Sequence, residues 1–386
     1  MSLKGAKTNA IQEGGSMTQA PKATDRRHLL KGSLALAAGA VLCAPAVVAA
    51  QARVVRMISV WGRGFPLVSA SAQRLAERLT SVTDGDLRVE LFAAGELGSP
   101  GEAQARVGAG EAELYHGVEY FWAAKNPAFH LFSGVPFGLT ATELLGWLNG
   151  PGATHWDTLQ AEYNIKPFSA GVLAGGLGFW SNKEIETADD LKGLRIRSSG
   201  MARSVLKSLG ADARPVSFAR LPAALETRAL GAAEWFGPWA DPDLALTEAA
   251  AFVYGPPVLR PALGISAGLN IPFWFSLTDA QRAGFRAVFA AESQRMLLET
   301  HRTNARQIAA IRGSALNDKV RQFSPEMLTL IGRRSGDVLA EAMTGNETAE
   351  TVLTDYLSFR SESYREVLWG ESGFMQAREL PFTFAR

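Results

Sequence analysis

The chain has 386 residues, 47% of them hydrophobic and 20% charged. That is enough sequence for two domains and ordinary for a globular protein. Lys and Arg number 39 against 38 Asp and Glu. The balance excludes a strongly basic nucleic-acid binder or membrane-surface binder.

In chain order, residues 25–31 read DRRHLLK, followed by the small apolar run GSLALAAGAVLCAPAVVAA and by Ala50-Gln51-Ala52. This predicts a twin-arginine export signal closed by an A-x-A cleavage site, rather than a membrane anchor. Residues 1–16 are polar, and Met17 is an alternative start. Cleavage after Ala52 removes Cys43, the only cysteine. No disulfide, thiol catalysis or Cys-based metal site then remains.

From residue 53 the pattern alternates strands with helices. RVVRMISV (53–60), DLRVELF (86–92), AELYHGVEYF (112–121) and IKPFSAGVL (165–173) read as strands. Helical periodicity separates them at 69–82, 101–110 and 141–164. The second half repeats this with strands FWSNKEI, GLRIR, RPVSF and AAEWF, then FVYGPPVL and GISAGLNIPFW. TADDLKG (187–193) predicts a short helix with Thr187 at its N-cap and Gly193 at its end. Residues 277–312 carry one uninterrupted helical pattern. Such a helix is about 50 Å long. It exceeds one small domain and therefore lies across two lobes. The predicted class is α/β, two-lobed, with sheets flanked by helices and a long helix spanning both lobes. The expected division is an N-terminal extension and signal (1–52), lobe 1 (53–177 plus about 268–276), lobe 2 (178–267), the spanning helix (277–312), and a C-terminal strand and helices (313–386).

A search for catalytic patterns yields little. His116, His130, His155 and His301 sit in no ligand-spaced motif and read as structural. Gly264-Ile265-Ser266-Ala267-Gly268 fits G-x-S-x-G, the nucleophile elbow. That motif needs a turn into a helix, whereas LNIPFW continues as a strand. A hydrolase using Ser266 is the competing enzymatic reading.

Binding features are stronger. In GLRIR, Arg195 and Arg197 share one face of a strand that ends before a helix. Arg197 and the helix N-terminus make an anion site, because a guanidinium fork suits a carboxylate. The alternative is that both arginines pair with acids such as Asp189 and Asp190. Glu234 lies in an apolar strand beside Trp235, Phe236 and Trp239. Burying it alone is costly. It therefore holds a cation, accepts from a ligand hydroxyl, or pairs with an arginine.

With these residues in view, the chain resembles the DctP-type solute-binding proteins of TRAP transporters. The resemblance rests on ETADDLKGLRIRSSG and LKSLGADARPVSFARLPAALETRALGAAEWFGP. Stretches 62–79, 93–117 and 120–139 are similar to the branch that binds 2-oxo acids and related organic acids. The resemblance implies a periplasmic binding protein that catalyses nothing and delivers a small organic acid to membrane permease subunits. It implies that Arg197 clamps the carboxylate, Tyr120 hydrogen-bonds the ligand, and Glu234 and Trp235 help hold a bridging cation. Two positions depart from the branch. Gly176 stands where a glutamine is expected and Arg260 where a second glutamate is expected. Both changes remove cation ligands and so disfavour a sodium or calcium cofactor; a cation, if bound, is held by Glu234 and Trp235. Arg260 is expected to replace the cation, pair with Glu234 and touch the ligand's second oxygen or second carboxylate; the alternative is a local misalignment that leaves Arg260 on the surface. Phe137, Trp180 and Phe236 are expected to wall the cleft, and Gly176 to enlarge it for an acid bulkier than pyruvate. A periplasmic sensor is a further alternative, and the assembly is a monomer or a homodimer.

Overall fold

The computed structural model describes residues 52–383. The export signal and its cleavage site at 50–52 fall almost wholly outside the described residues. Among the described residues eleven strands form two mixed sheets. They are β1 (Arg53–Ser59), β2 (Leu87–Phe92), β3 (Leu114–Gly117), β4 (Ile165–Ala174), β5 (Phe179–Ser181), β6 (Arg195–Arg197), β7 (Asp212–Arg214), β8 (Ala232–Glu234), β9 (Phe252–Gly255), β10 (Ala262–Asn270) and β11 (Val320–Gln322). The first sheet has the order β2-β1-β3-β10-β4 and the second β11-β9-β5-β8-β6-β7. Each sheet organises one lobe.

The chain passes from the first sheet to the second between β4 and β5, returns between β9 and β10, and reaches the second sheet again at β11 after the long helix. The second crossing corrects the expected boundary at 267. All of β10 lies in the first sheet, antiparallel to both β3 and β4. Its nine residues are all buried, so it reads as one apolar run with no break at the lobe boundary. Ser266 sits inside this strand beside a register shift, and the strand continues to Asn270. The G-x-S-x-G match is therefore packing, not an elbow. At Gly268 a Cβ would come within 2.1 Å of the Tyr115 ring. The strand pattern also ends earlier than predicted. Asn270 caps a helix over Ile271–Ser276, its side chain accepting from the Phe273 N–H.

Local chemistry explains the other elements. The helix Val68–Ser81 buries Val68, Ala72, Leu75, Ala76 and Leu79, one face at helical spacing. Thr187 and Asp190 form the expected capping box, but the turn is 3₁₀, over Ala188–Leu191. The strand expected at RPVSF lies earlier, at Asp212–Arg214. Tyr120 falls in a 3₁₀ turn, Glu119–Trp122, because β3 ends at Gly117.

The long helix runs over Asp279–Arg312, capped by Thr278 and Gln281. It touches both lobes. Phe289 stacks on Phe168 of the first at 5.2 Å. Gln307 donates to the Pro242 carbonyl in the second. Beyond it, β11 joins the second sheet. The helix Pro325–Met343 packs on the helix Gly200–Ser208, and Glu347–Trp369 packs on the helices of the first lobe.

Candidate functional site

Arg197 closes β6, and the helix Gly200–Ser208 starts just beyond it without a side-chain cap. The guanidinium is 6% exposed. Its Nη1 donates to the Glu234 carbonyl at 2.8 Å and its Nε to the Val216 carbonyl at 3.3 Å. Its face lies 3.9 Å from the Trp235 ring centroid. Burial lowers its pKa to about 10, so it stays charged at neutral pH. The acids Asp189 and Asp190 pair with Lys192 and Lys183 instead. Arg195 is exposed and donates to the Arg228 carbonyl. Among the described residues Arg197 therefore has no carboxylate partner, and its Nη2 makes no hydrogen bond.

Glu234 ends β8, next to β6 in the sheet, and is 1% exposed. Arg260 comes from the second crossing. Its Nε donates to Glu234 Oε1 at 2.8 Å and its Nη2 to Oε2 at 3.1 Å. Ser198 Oγ donates to Oε2 at 2.8 Å. Arg260 Nη2 also donates to the Ser199 carbonyl at 2.8 Å. Burial works against the Arg260 charge, but Glu234 outweighs it and holds the guanidinium above its ordinary value. Two guanidiniums and one carboxylate leave the buried cluster one positive charge in excess. His130 adds none, because burial and the Arg260 charge lower its pKa to about 4.

The first lobe brings Tyr120 to this cluster. Its backbone N–H is held by Ser133 Oγ, its ring faces Gly200, and the Arg260 guanidinium lies 5.9 Å from the ring centroid. Phe236 lies 5.3 Å from the same guanidinium. Around Trp235 and Phe236 gather Trp61, Phe65, Phe218 and Trp239.

Three expected residues belong elsewhere. Trp180 is 0% exposed and donates to Thr247 Oγ1, so it is core of the second lobe. It is one residue out of phase with Phe179, which pairs with Glu234 across the sheet, so it points to the opposite face. Phe137 has φ 52 and packs its ring on Gly332, under the C-terminal helices. Gly176 enlarges nothing. A Cβ there would meet Pro238 at 2.7 Å, so the glycine permits close approach of the loop after Glu234.

Sequence reasoning missed Ser198, Asn304, Phe218, Trp61 and Phe65. Asn304 on the long helix accepts from the Trp239 N–H at 3.0 Å and donates to the Gly175 carbonyl at 3.1 Å, tying the helix to both lobes. Only Trp61 and Phe65 carried a signal, as the rings that bracket W-G-R-G-F at 61–65. A polar side chain such as Asn304 in a long helix carries none.

No three His, Cys, Asp or Glu side chains converge as a metal site among the described residues. Both Glu234 oxygens already accept from Arg260, and a cation placed there would meet a fixed positive charge.

Comparisons with known proteins agree with this architecture. The family described as "Bacterial extracellular solute-binding protein, family 7" (DctP) matches residues 57–344. A monocarboxylate 2-oxoacid-binding periplasmic protein of Nostoc sp. is 29% identical over 316 residues, 80% of this chain and 84% of that one. A TRAP solute-binding protein from Bordetella bronchiseptica, with calcium and picolinate bound, superposes with TM-score 0.77 at 26% identity. It covers 85% of this chain and 97% of its own. One from Pseudoalteromonas atlantica, with sodium and pyruvate, gives 0.78 at 25% identity and covers 86% and 100%. The chain belongs to the DctP family of bacterial extracellular solute-binding proteins, the periplasmic subunits of TRAP transporters.

Proposed function

We propose that this protein captures a small organic monocarboxylate between its lobes, without a bridging cation, and delivers it to TRAP permease subunits. The single observation behind this reading is the Arg260–Glu234 pair beside Arg197. It leaves one unpaired buried positive charge, which one carboxylate neutralises. Arg197 offers its Nη2 hydrogens as the clamp. The similar Bordetella and Pseudoalteromonas proteins carry calcium or sodium together with their ligands, and in this reading the Arg260 guanidinium supplies the positive charge that such an ion would bring. Its Nη1, which bonds no described residue, is available to the second acceptor of the acid. Tyr120 and the surrounding rings cover the body of the ligand. A dicarboxylate would bring an unmatched negative charge into a buried site.

Binding favours the closed arrangement of the lobes, which is what the permease recognises. The protein catalyses nothing in this reading, and it reaches the periplasm by the twin-arginine route. Ser266 supports no hydrolase, since its hydroxyl lies inside a strand and donates to the Gly117 carbonyl.

The test is calorimetry on residues 53–386 with pyruvate, lactate, picolinate and succinate, each with EDTA, calcium or sodium. A monocarboxylate should bind with an affinity that the cations leave unchanged, and succinate should bind weakly. Arg197→Ala should weaken that binding by about 2 kcal/mol or more, roughly thirtyfold. Affinity that appears only with calcium or sodium overturns the role given to Arg260.

A further inference from the structure

We infer that Phe65 is the latch of the cleft, coupling lobe closure to the carboxylate clamp through Trp235. The inference rests on the reading that an acid binds between the lobes. Phe65 belongs to the first lobe, in the strap Gly62–Leu67 between β1 and the helix Val68–Ser81. Its ring meets three rings of the second lobe, Phe218 at 5.8 Å, Trp235 at 5.9 Å and Phe236 at 6.2 Å. Trp61, at the root of the strap, packs on Phe65 at 4.9 Å and reaches Phe236 at 6.2 Å.

Trp235 is the connecting element. Phe218 stacks on it at 5.3 Å with an interplanar angle of 17°, and the Arg197 guanidinium lies 3.9 Å from its ring centroid. A contact that presses on Trp235 from the first lobe therefore bears on the group that clamps the acid. Phe65 makes that contact, and aromatic pairs of this spacing prefer defined tilted geometries.

The strap carries two residues with left-handed backbone. Gly64 has φ 80, and Leu67 closes the segment at φ 56, a region that a bulky side chain occupies only under strain. Ser69 donates both its N–H and its hydroxyl to the Phe65 carbonyl, the Phe65 N–H donates to the Gly62 carbonyl, and Arg63 reaches out of the strap to Glu96 through two hydrogen bonds. One side of the strap faces the second-lobe rings. The other faces a cavity of about 280 Å³ whose walls include Ser59, Trp61, Gly62, Arg63, Gly64 and Gln73. No second-lobe residue lines that cavity. It offers room for the strap to withdraw from the cleft.

A latch of this kind acts on dissociation, because its contacts must break before the lobes part. The experiment compares wild type, Phe65→Ala and Phe65→Leu. Stopped-flow tryptophan emission gives the association and dissociation rates of pyruvate and picolinate. Small-angle scattering and thermal midpoints are taken without either acid. Phe65→Ala should raise the dissociation rate about tenfold or more while the association rate stays within about threefold, with Phe65→Leu intermediate. Its acid-free scattering should shift toward a more open form. A lower thermal midpoint with an unchanged dissociation rate would make Phe65 merely structural and overturn the proposal. If wild type binds neither acid, the scattering decides. An opened Phe65→Ala keeps the latch and discards the ligand reading, whereas identical profiles discard the latch. If Phe65→Ala fails to fold, Phe65→Leu carries the same comparison.

Discussion

Two buried glutamates, one in each lobe, meet opposite surroundings. Glu234 in the second lobe is 1% exposed, and Glu119 in the first is 0% exposed. Glu234 faces a guanidinium through two hydrogen bonds, with a serine hydroxyl as a third donor. Glu119 has only neutral donors. The Tyr115 hydroxyl donates to it at 3.0 Å, and Gln160 donates to both Glu119 and Tyr115. Gln104 and Lys125 extend the chain of hydrogen bonds to the surface. Burial raises the Glu119 pKa to about 7. Depth of burial is equal, yet the chemistry differs because the partner differs. A carboxylate matched by a cation holds its charge and can help define an electrostatic site. One matched by neutral groups is part of a polar core.

The comparison breaks most visibly at Arg260. Arg260→Ala strands the Glu234 charge and should cost about 3–5 kcal/mol of stability, read from the urea midpoint at neutral pH. A loss under 1 kcal/mol would mean that Glu234 was never dependent on its partner.

Glu119→Gln sharpens the same contrast through pH. The folded-state pKa of Glu119, about 7, lies above its ordinary 4.5, so the folded chain binds the proton more tightly. Glu119 therefore favours folding below about pH 4.5, and that advantage fades as pH rises through 7. Between those limits the contribution of this one group changes by about 3 kcal/mol. His116 works oppositely. Burial lowers its pKa to about 3, so its contribution is present above 6.5 and is lost as pH falls. Subtracting the stability curve of Glu119→Gln from that of wild type isolates the glutamate. A difference curve flat from pH 4.5 to 7 would refute the assignment.

The smallest expected effect is at Trp180. Trp180→Phe loses the hydrogen bond to Thr247 and should cost about 1 kcal/mol of stability. The affinity for the acid should not change. A weakened affinity would return Trp180 to the cleft wall.

Much of this was legible before the structure. Arg197 declared itself by closing a short strand ahead of a helix, and Glu234 by standing charged inside an apolar strand. The resemblance to the DctP family supplied Tyr120 and marked Arg260 as a departure. The errors share a cause. Residue type alone puts Phe137, Trp180 and Gly176 in a cleft, and the structure puts them elsewhere. Strand phase decided Trp180, a left-handed backbone decided Phe137, and Pro238 decided Gly176. The lobe boundary at 267 failed because β10 is apolar throughout, and hydrophobicity alone does not mark which sheet receives a strand.

The sequence by itself determined where strands and helices form, through periodicity and capping that act over a few residues. It also determined the stock of charges and rings. Only the tertiary structure decided which of them meet. Arg260 and Glu234 are 26 positions apart, and Ser198 and Glu234 are 36. Phe65 reaches Trp235 from the other lobe. Such pairings depend on sheet order and on the chain crossing repeatedly between lobes. Buried charge makes them exacting, because an unpaired ion in a low-dielectric interior costs more than any local propensity returns.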